Sequence, residues 1–259
     1  LASIVESHAA AQNNPGASLG AGAGGGLLAQ QYTDCTFLFA KIGGLSQLVS
    51  DDTRPPKQVM RVLQRMFDAF DKLCDIYKVQ KMRKTANEFY LVAAGLPDPR
   101  PLPTPEDRAC GIAAYAFAIL GCMDVLNVEL RPLGIQFTLQ VGLHSGSAIA
   151  GIIGHKTFQY DLCGDAVNTS ARMCSYSKPG QVHVSVDTWR LLRHHYPAIP
   201  RGKREIKGKG MMDTFFLMNM PVCDVAEQLP ELASRIGAVE RALLPPEEEK
   251  GGASDALSA

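Results

Sequence analysis

A chain of 259 residues, 46% of them hydrophobic, is long and apolar enough to bury a core, which excludes a disordered protein. Lysine plus arginine equals aspartate plus glutamate at 26 each, so no global positive field recruits nucleic acid or an acidic membrane, and any phosphate recognition has to be local. Seven scattered cysteines with no CxxC pair give neither a zinc motif nor a dithiol site and point to a reducing, cytoplasmic setting.

The opening residues, LASIVESHAAAQ, lack the basic start and apolar run of a signal peptide. A start at Leu rather than Met suggests a piece of a larger protein, a membrane-anchored one included. NNPGASLGAGAGGG, residues 13–26, carries too little apolar surface to offset its chain entropy, so 1–31 is expected to be a flexible Gly/Ala-rich linker. No GK[ST] follows those glycines, which argues against a phosphate loop. CTFLFAKI, residues 35–42, reads as a buried strand. Val59, Val62, Leu63, Met66, Phe67, Phe70, Leu73 and Cys74 recur at three- and four-residue steps, which predicts a helix over 56–77.

KVQKMRK and EFYLVAAG read as two strands around a turn at 85–87. The connector PDPRPLPTP cannot enter a sheet interior. The next helix opens at Thr104, with Pro105, Glu106 and Asp107 in its first turn, and runs to about Glu129. Its apolar run, ACGIAAYAFAILGCM, is about 15 residues, short of the ~20 that cross a bilayer, and reads as a core helix.

FTLQVGLHSG and AIAGIIG read as glycine-punctuated paired strands, DAVNTSARMCSY as a helix, and VHVS and DTFFLMNM as strands. From LPPEEEKGGASDALSA a loose tail is expected, giving one domain over 32–220 and a C-terminal tail over 221–259. The fold class is α+β, a mixed antiparallel sheet with helices packed on one face.

In YDLCGDAVNTSARM, residues 160–173, a helix starting near Asp165 puts Asn168 and Arg172 four apart on one face, above the helix's positive end. Such a pair suits charge developing on phosphate oxygens. Taken alone, an Asn and an Arg at this spacing more often cap locally and face solvent, and KGKG at 207–210 is more often a solvated turn. NTS at 168–170 reads as a chance sequon. His144 in GLHSG titrates near neutrality in principle but reads as structural. His194 and His195 lack further metal ligands, Trp189 reads as packing a short helix onto the sheet, and Cys110 and Cys122 have no activating cation nearby in sequence.

The series VGLHSGSAIAGIIG, FQYDLCGDAVNTSARM and PGQVHVS resembles the core of the class III nucleotidyl cyclases, with their GIHSG segment and GxTVNxASRM helix. CTFLFAKIGGL is similar to that family's FADIxGF strand, KTANEFYLVAAGLP to its TIGDAYMVVSGLP hairpin, and IKGKGMMDTFFL to its VKGKGxMxTYFL ending. The likeness runs in order over roughly residues 34–218. It implies a ferredoxin-like α+β domain that pairs head to tail with a second cyclase domain and converts a nucleoside triphosphate to a 3′,5′-cyclic monophosphate and pyrophosphate, assisted by two Mg²⁺ or Mn²⁺ ions.

By the same resemblance, the two metal aspartates fall on Lys41 and Glu88. A lysine ammonium repels divalent cations, and glutamate reaches about one methylene further than aspartate. Lys84 and Asp161 match the adenine-binding pair, where guanylyl cyclases use glutamate and cysteine. Adenine's N1 acceptor and 6-amino donor complement a lysine and an aspartate. Asn168 and Arg172 match the transition-state residues, and Lys207 or Lys209, with Lys207 preferred, the lysine on the terminal phosphates. The chain thus resembles the second catalytic domain of a membrane adenylyl cyclase: ATP-binding, without metal aspartates, and dependent on a partner that has them. A non-catalytic pseudocyclase is the alternative, and a homodimer using Glu88 for one metal a third. Cys163 for the family's tryptophan, NEF for its GDA, and Gly43 with Gly44 depart from the pattern.

Overall fold

The structure, a computed structural model, describes residues 29–84, 88–153 and 159–219. The expected linker up to residue 28, the turn at 85–87 and the tail from 221 lie outside the described residues. The chain runs β1 (Ala29–Gly43), α1 (Leu45–Val49), α2 (Pro56–Tyr77), β2 (Gln80–Lys84), β3 (Phe89–Ala94), α3 (Pro105–Leu130), β4 (Thr138–Ile153), β5 (Gln159–Cys163), α4 (Asp165–Ser175), β6 (Val182–Ser185), α5 (Val186–Leu192), β7 (Ala198–Ile206) and β8 (Gly210–Leu217). Seven strands lie in the order β2-β3-β1-β4-β6-β8-β7, and β5 folds back on the far half of β4. Among the described residues only β4 and β6 run parallel and every other pairing is antiparallel, which makes the sheet mixed as expected.

Phe37, Leu38, Ala40 and Ile42 of β1 are all buried although successive strand residues face opposite ways, so the central strand is covered on both sides. On one side, Tyr90, opposite Ala40, stacks on Phe67 and meets Phe70 edge-on from α2. Tyr115 of α3 donates to the Phe70 carbonyl, and Trp189 of α5 stacks on Phe215, with ring centroids 4.4 Å apart, as expected for the short helix. On the other side, Phe37, Leu91, Ala93 and Leu162 form one cluster with Ala166 and Val167 of α4. The helices read from their apolar residues therefore share one face, while α4 crosses the opposite one. Fully burying each such side chain contributes roughly 1.5–3 kcal/mol.

α2 has the limits its periodicity predicts, and α3 opens on a complete capping box, the Thr104 hydroxyl accepting from the Asp107 amide at 3.0 Å and the Asp107 carboxylate accepting from the Thr104 amide at 3.1 Å. Pro105–Val128 is long and apolar enough to cross a bilayer, but Ala109, Ile112, Ala113, Tyr115, Ala116, Ile119 and Met123 are buried against the domain's own core.

Besides α1 and β5, which the sequence reading did not include, three elements differ from it. β1 begins at Ala29, before the run of apolar residues and inside the stretch read as linker. The segments expected as two paired strands are one 16-residue strand, β4. Its glycines do not turn the chain; they admit α4. A Cβ on Gly142 would lie 1.9 Å from the Cys174 nitrogen, and one on Gly146 2.9 Å from the Ala166 Cβ. The third is β7, an edge strand that was not expected, because Lys203, Arg204 and Glu205 are exposed and Ile206 is its one buried residue. Charge of this kind on an edge discourages pairing with other chains.

Candidate active site on the α4 helix and its flanking strands

α4 starts directly after Gly164, where a Cβ would sit 3.1 Å from the Ala148 Cα, so the turn from β5 is held close to β4. Ala166, Val167, Met173 and Cys174 are buried against the sheet. Thr169 and Ser170, also buried, donate their hydroxyls to the Asp165 and Val167 carbonyls, both at 2.8 Å. With both inward hydroxyls answered by the helix itself, Asn168 and Arg172 remain on the exposed face, one turn apart. At the start of the helix, the Lys209 ammonium pairs with the Asp165 carboxylate. Lys207, two residues back in the β7–β8 turn, is exposed. The sequence reading foresaw the Asn168–Arg172 face but not the Lys209–Asp165 contact, which joins residues 44 apart.

Lys84 closes β2 opposite Tyr90, and Asp161 lies on β5 opposite Gly151. The two strands are neighbours: Met82 of β2 and Tyr160 of β5 pack on the same cluster around Phe37, Leu91 and Leu162. Tyr160 and Leu162 face that cluster, so alternation turns Asp161 the other way. Its Oδ1 accepts from the Leu162 amide at 2.9 Å.

Lys41 and Glu88 also come together, since Lys41 pairs with Phe89 and the Ile42 amide donates to the Glu88 carbonyl at 2.8 Å. The Glu88 carboxylate is already engaged. It accepts from the Ser46 amide at 3.0 Å and the Ser46 hydroxyl at 2.5 Å, capping the first turn of α1. Those bonds, the hydroxyl's first, hold its carboxyl below the usual glutamate range. An ammonium beside a carboxylate committed to a helix end does not fit a pair of divalent cations, and among the described residues no three His, Cys, Asp or Glu side chains converge.

The far end of α4 rests on the buried His183 and the half-buried Arg201. His183 of β6 meets the Met173 carbonyl through Nδ1 at 2.7 Å, and its Nε2 lies 3.2 Å from Nη1 of Arg201 on β7. Burial, then the nearby Arg201 and Arg204 charges, lower the His183 pKa from 6.5 to about 4 despite the opposing bond to Met173. A lowered histidine favours the fold above the unfolded value, and that share is lost as pH falls. Stability is therefore expected to drop by about 3 kcal/mol between pH 7 and pH 4 from this residue. Urea unfolding at several pH values, compared with His183→Gln, measures it; parallel pH curves for the two proteins would refute the assignment. His144, bonded to the Ser185 hydroxyl at 2.7 Å and likewise lowered by burial, is structural as expected and is common to both proteins.

An α+β sheet of this order, with an Asn–Arg helix across one face and a lysine-bearing hairpin turn at that helix's start, has the architecture of a nucleotide cyclase catalytic domain. Residues 27–219 match the adenylate and guanylate cyclase catalytic domain family, and the chain belongs to it. It is 34% identical over 199 residues to an adenylate cyclase of Mycobacterium tuberculosis, covering 76% of this chain and 42% of that protein. It is 38% identical over 197 residues to a receptor-type guanylate cyclase of Caenorhabditis elegans, covering 75% of this chain and 15% of that protein. Among solved structures, the guanylate cyclase domain of the Catenaria anguillulae protein RhGC, in complex with GTP, superposes with a TM-score of 0.65 at 26% identity, over 74% of this chain and 100% of that one. The chain spans less than half the length of these two curated relatives.

Proposed function

We propose that this domain is the ATP-selecting half of an adenylyl cyclase and that a complementary cyclase domain, in the same polypeptide or another, supplies the metal carboxylates. The observation that carries the reading is an asymmetry within one chain: the Asn168–Arg172 face is intact and exposed, whereas the two metal positions hold Lys41 and a Glu88 spent on a helix cap. Mg²⁺ or Mn²⁺, if used, is held by the partner.

This chain's residues recognise and stabilise. Lys84 donates to adenine N1 and Asp161 accepts from the 6-amino group. Asn168 orients the ribose, whose 3′-hydroxyl gives its proton to water as its oxygen attacks the α-phosphate in line; the bond from that phosphate to the β-phosphate bridging oxygen breaks, and pyrophosphate leaves. Arg172 binds the charge that grows on the α-phosphate oxygens, and Lys207 binds the terminal phosphates, Lys209 being committed to Asp165. On this reading the domain works in the cytoplasm, on its own or as part of a larger membrane-anchored protein.

The test is cyclic AMP formation from ATP with Mn²⁺, by this chain alone and mixed with a cyclase domain that has both aspartates but lacks base and transition-state residues. Activity is expected only in the mixture, and Arg172→Ala should lower kcat there by roughly 10²–10³-fold, the cost of losing one donor to developing charge. Silence from a mixture whose domains demonstrably associate favours the second reading, a non-catalytic regulatory domain, which rests on the ammonium of Lys41.

A further inference from the structure

We infer that the β7–β8 hairpin is a two-point clamp on α4, and that Arg201 and His183 are positioning residues for Arg172. The last carbonyls of a helix have no partner within it. Here the Met173 carbonyl receives His183 Nδ1 at 2.7 Å, and the Tyr176 carbonyl receives Arg201 Nη1 at 2.6 Å. With Nδ1–H donating, Nε2 of the neutral ring carries the lone pair, and Arg201, 3.2 Å away, is its donor. The same guanidinium lies 4.3 Å above the centre of the Phe216 ring on β8, so both strands and β6 fix its plane. A cation at this end of the helix also opposes the negative end of its dipole. At the other end, Lys209 holds Asp165 from the tip of the same hairpin.

The two contacts differ in weight. Asp165 is 78% exposed, and exposed ion pairs are worth at most about 1 kcal/mol, so the Lys209 end aligns the turn more than it anchors the helix. The Arg201–His183 end is buried around His183 and carries the position. Because Lys207 belongs to the turn gripped by Lys209, one rigid hairpin sets both the phosphate lysine and the helix bearing Asn168 and Arg172. This link to catalysis rests on the proposed function; the clamp itself does not.

Hydrogen exchange on the intact chain tests the clamp. The amides of Tyr176 and Ser177 close the end of α4 by bonding to the Arg172 and Cys174 carbonyls. Arg201→Met is expected to speed their exchange about tenfold or more, as befits the loss of a charged hydrogen bond, while β1 amides keep wild-type rates. Arg201→Lys, which leaves a cation at the same carbonyl, should return them toward wild type. In the complementary mixture the same Arg201→Met is expected to lower kcat about tenfold with the nucleotide KM within about twofold, because Arg172 is misplaced for charge that appears only in the transition state. Unchanged exchange at Tyr176 and Ser177, or an equal rise in β1, overturns the clamp, and an unchanged kcat alongside faster exchange overturns the positioning role. If the wild-type mixture makes no product, the proposed function fails while the exchange rates still decide the clamp.

Discussion

Exchanging Lys84 for glutamate and Asp161 for cysteine is expected to turn the assembled enzyme from ATP toward GTP, moving the ratio of the two kcat/KM values by at least about a hundredfold. The edges of the two bases have opposite polarity. Adenine offers an acceptor at N1 and a donor at its amino group; guanine offers a donor at N1 and an acceptor at O6. A lysine and an aspartate that satisfy the first edge set donor against donor and acceptor against acceptor on the second, and each mispaired group costs roughly 1–3 kcal/mol. The neighbouring packing of β2 and β5 on Met82, Tyr160 and Leu162 should survive the exchange, because neither substituted residue belongs to that cluster. Measuring cyclic AMP and cyclic GMP from the double variant decides the matter. A ratio that stays at the wild-type value would mean that Lys84 and Asp161 do not read the base.

How much of this was legible in the sequence depended on the range of the interactions. α2 could be read from its own apolar spacing, and the start of α3 from Thr104, Pro105 and the two acids of its first turn, where the structure closes a capping box within four residues, 104 to 107. The Asn168–Arg172 face was legible for the same reason, since four residues are one helical turn. Contacts between distant segments left no local trace: Glu88 caps Ser46 from 42 residues away, and Arg201 reaches Tyr176 from 25. The glycines of β4 misled because glycine serves equally for a turn and for a close approach; at Gly142 and Gly146 it is α4's backbone and Ala166 that need the space. β7 lacked an apolar alternation because it is an edge, and its role comes from Arg201, whose partners lie on α4, β6 and β8.

Replacing Lys41 and Glu88 together by aspartate is expected to make the chain active without a complementary domain, raising Mn²⁺-dependent cyclic AMP formation by the chain alone on the order of a hundredfold or more. Two obstacles are removed at once. At an effective dielectric of 20, unit charges of like sign 4 Å apart repel by roughly 4 kcal/mol, so the Lys41 ammonium opposes each divalent ion by more than that. Glu88 is withheld differently, by its bonds to Ser46; aspartate, a methylene shorter, would release that cap at a cost of about 1 kcal/mol to the start of α1. The backbone favours the change, because Glu88 has φ 64, a left-handed conformation that aspartate tolerates better than glutamate. Two copies of the variant would each bring carboxylates as well as the Asn168–Arg172 face, so head-to-tail pairing completes both sites. Lys41→Asp alone should recover less, with Glu88 still held by Ser46, and adding Arg172→Ala should abolish the gain. A double variant that forms dimers in sedimentation yet stays silent would show that the missing carboxylates are not what separates this domain from a self-sufficient cyclase, and would favour the regulatory reading.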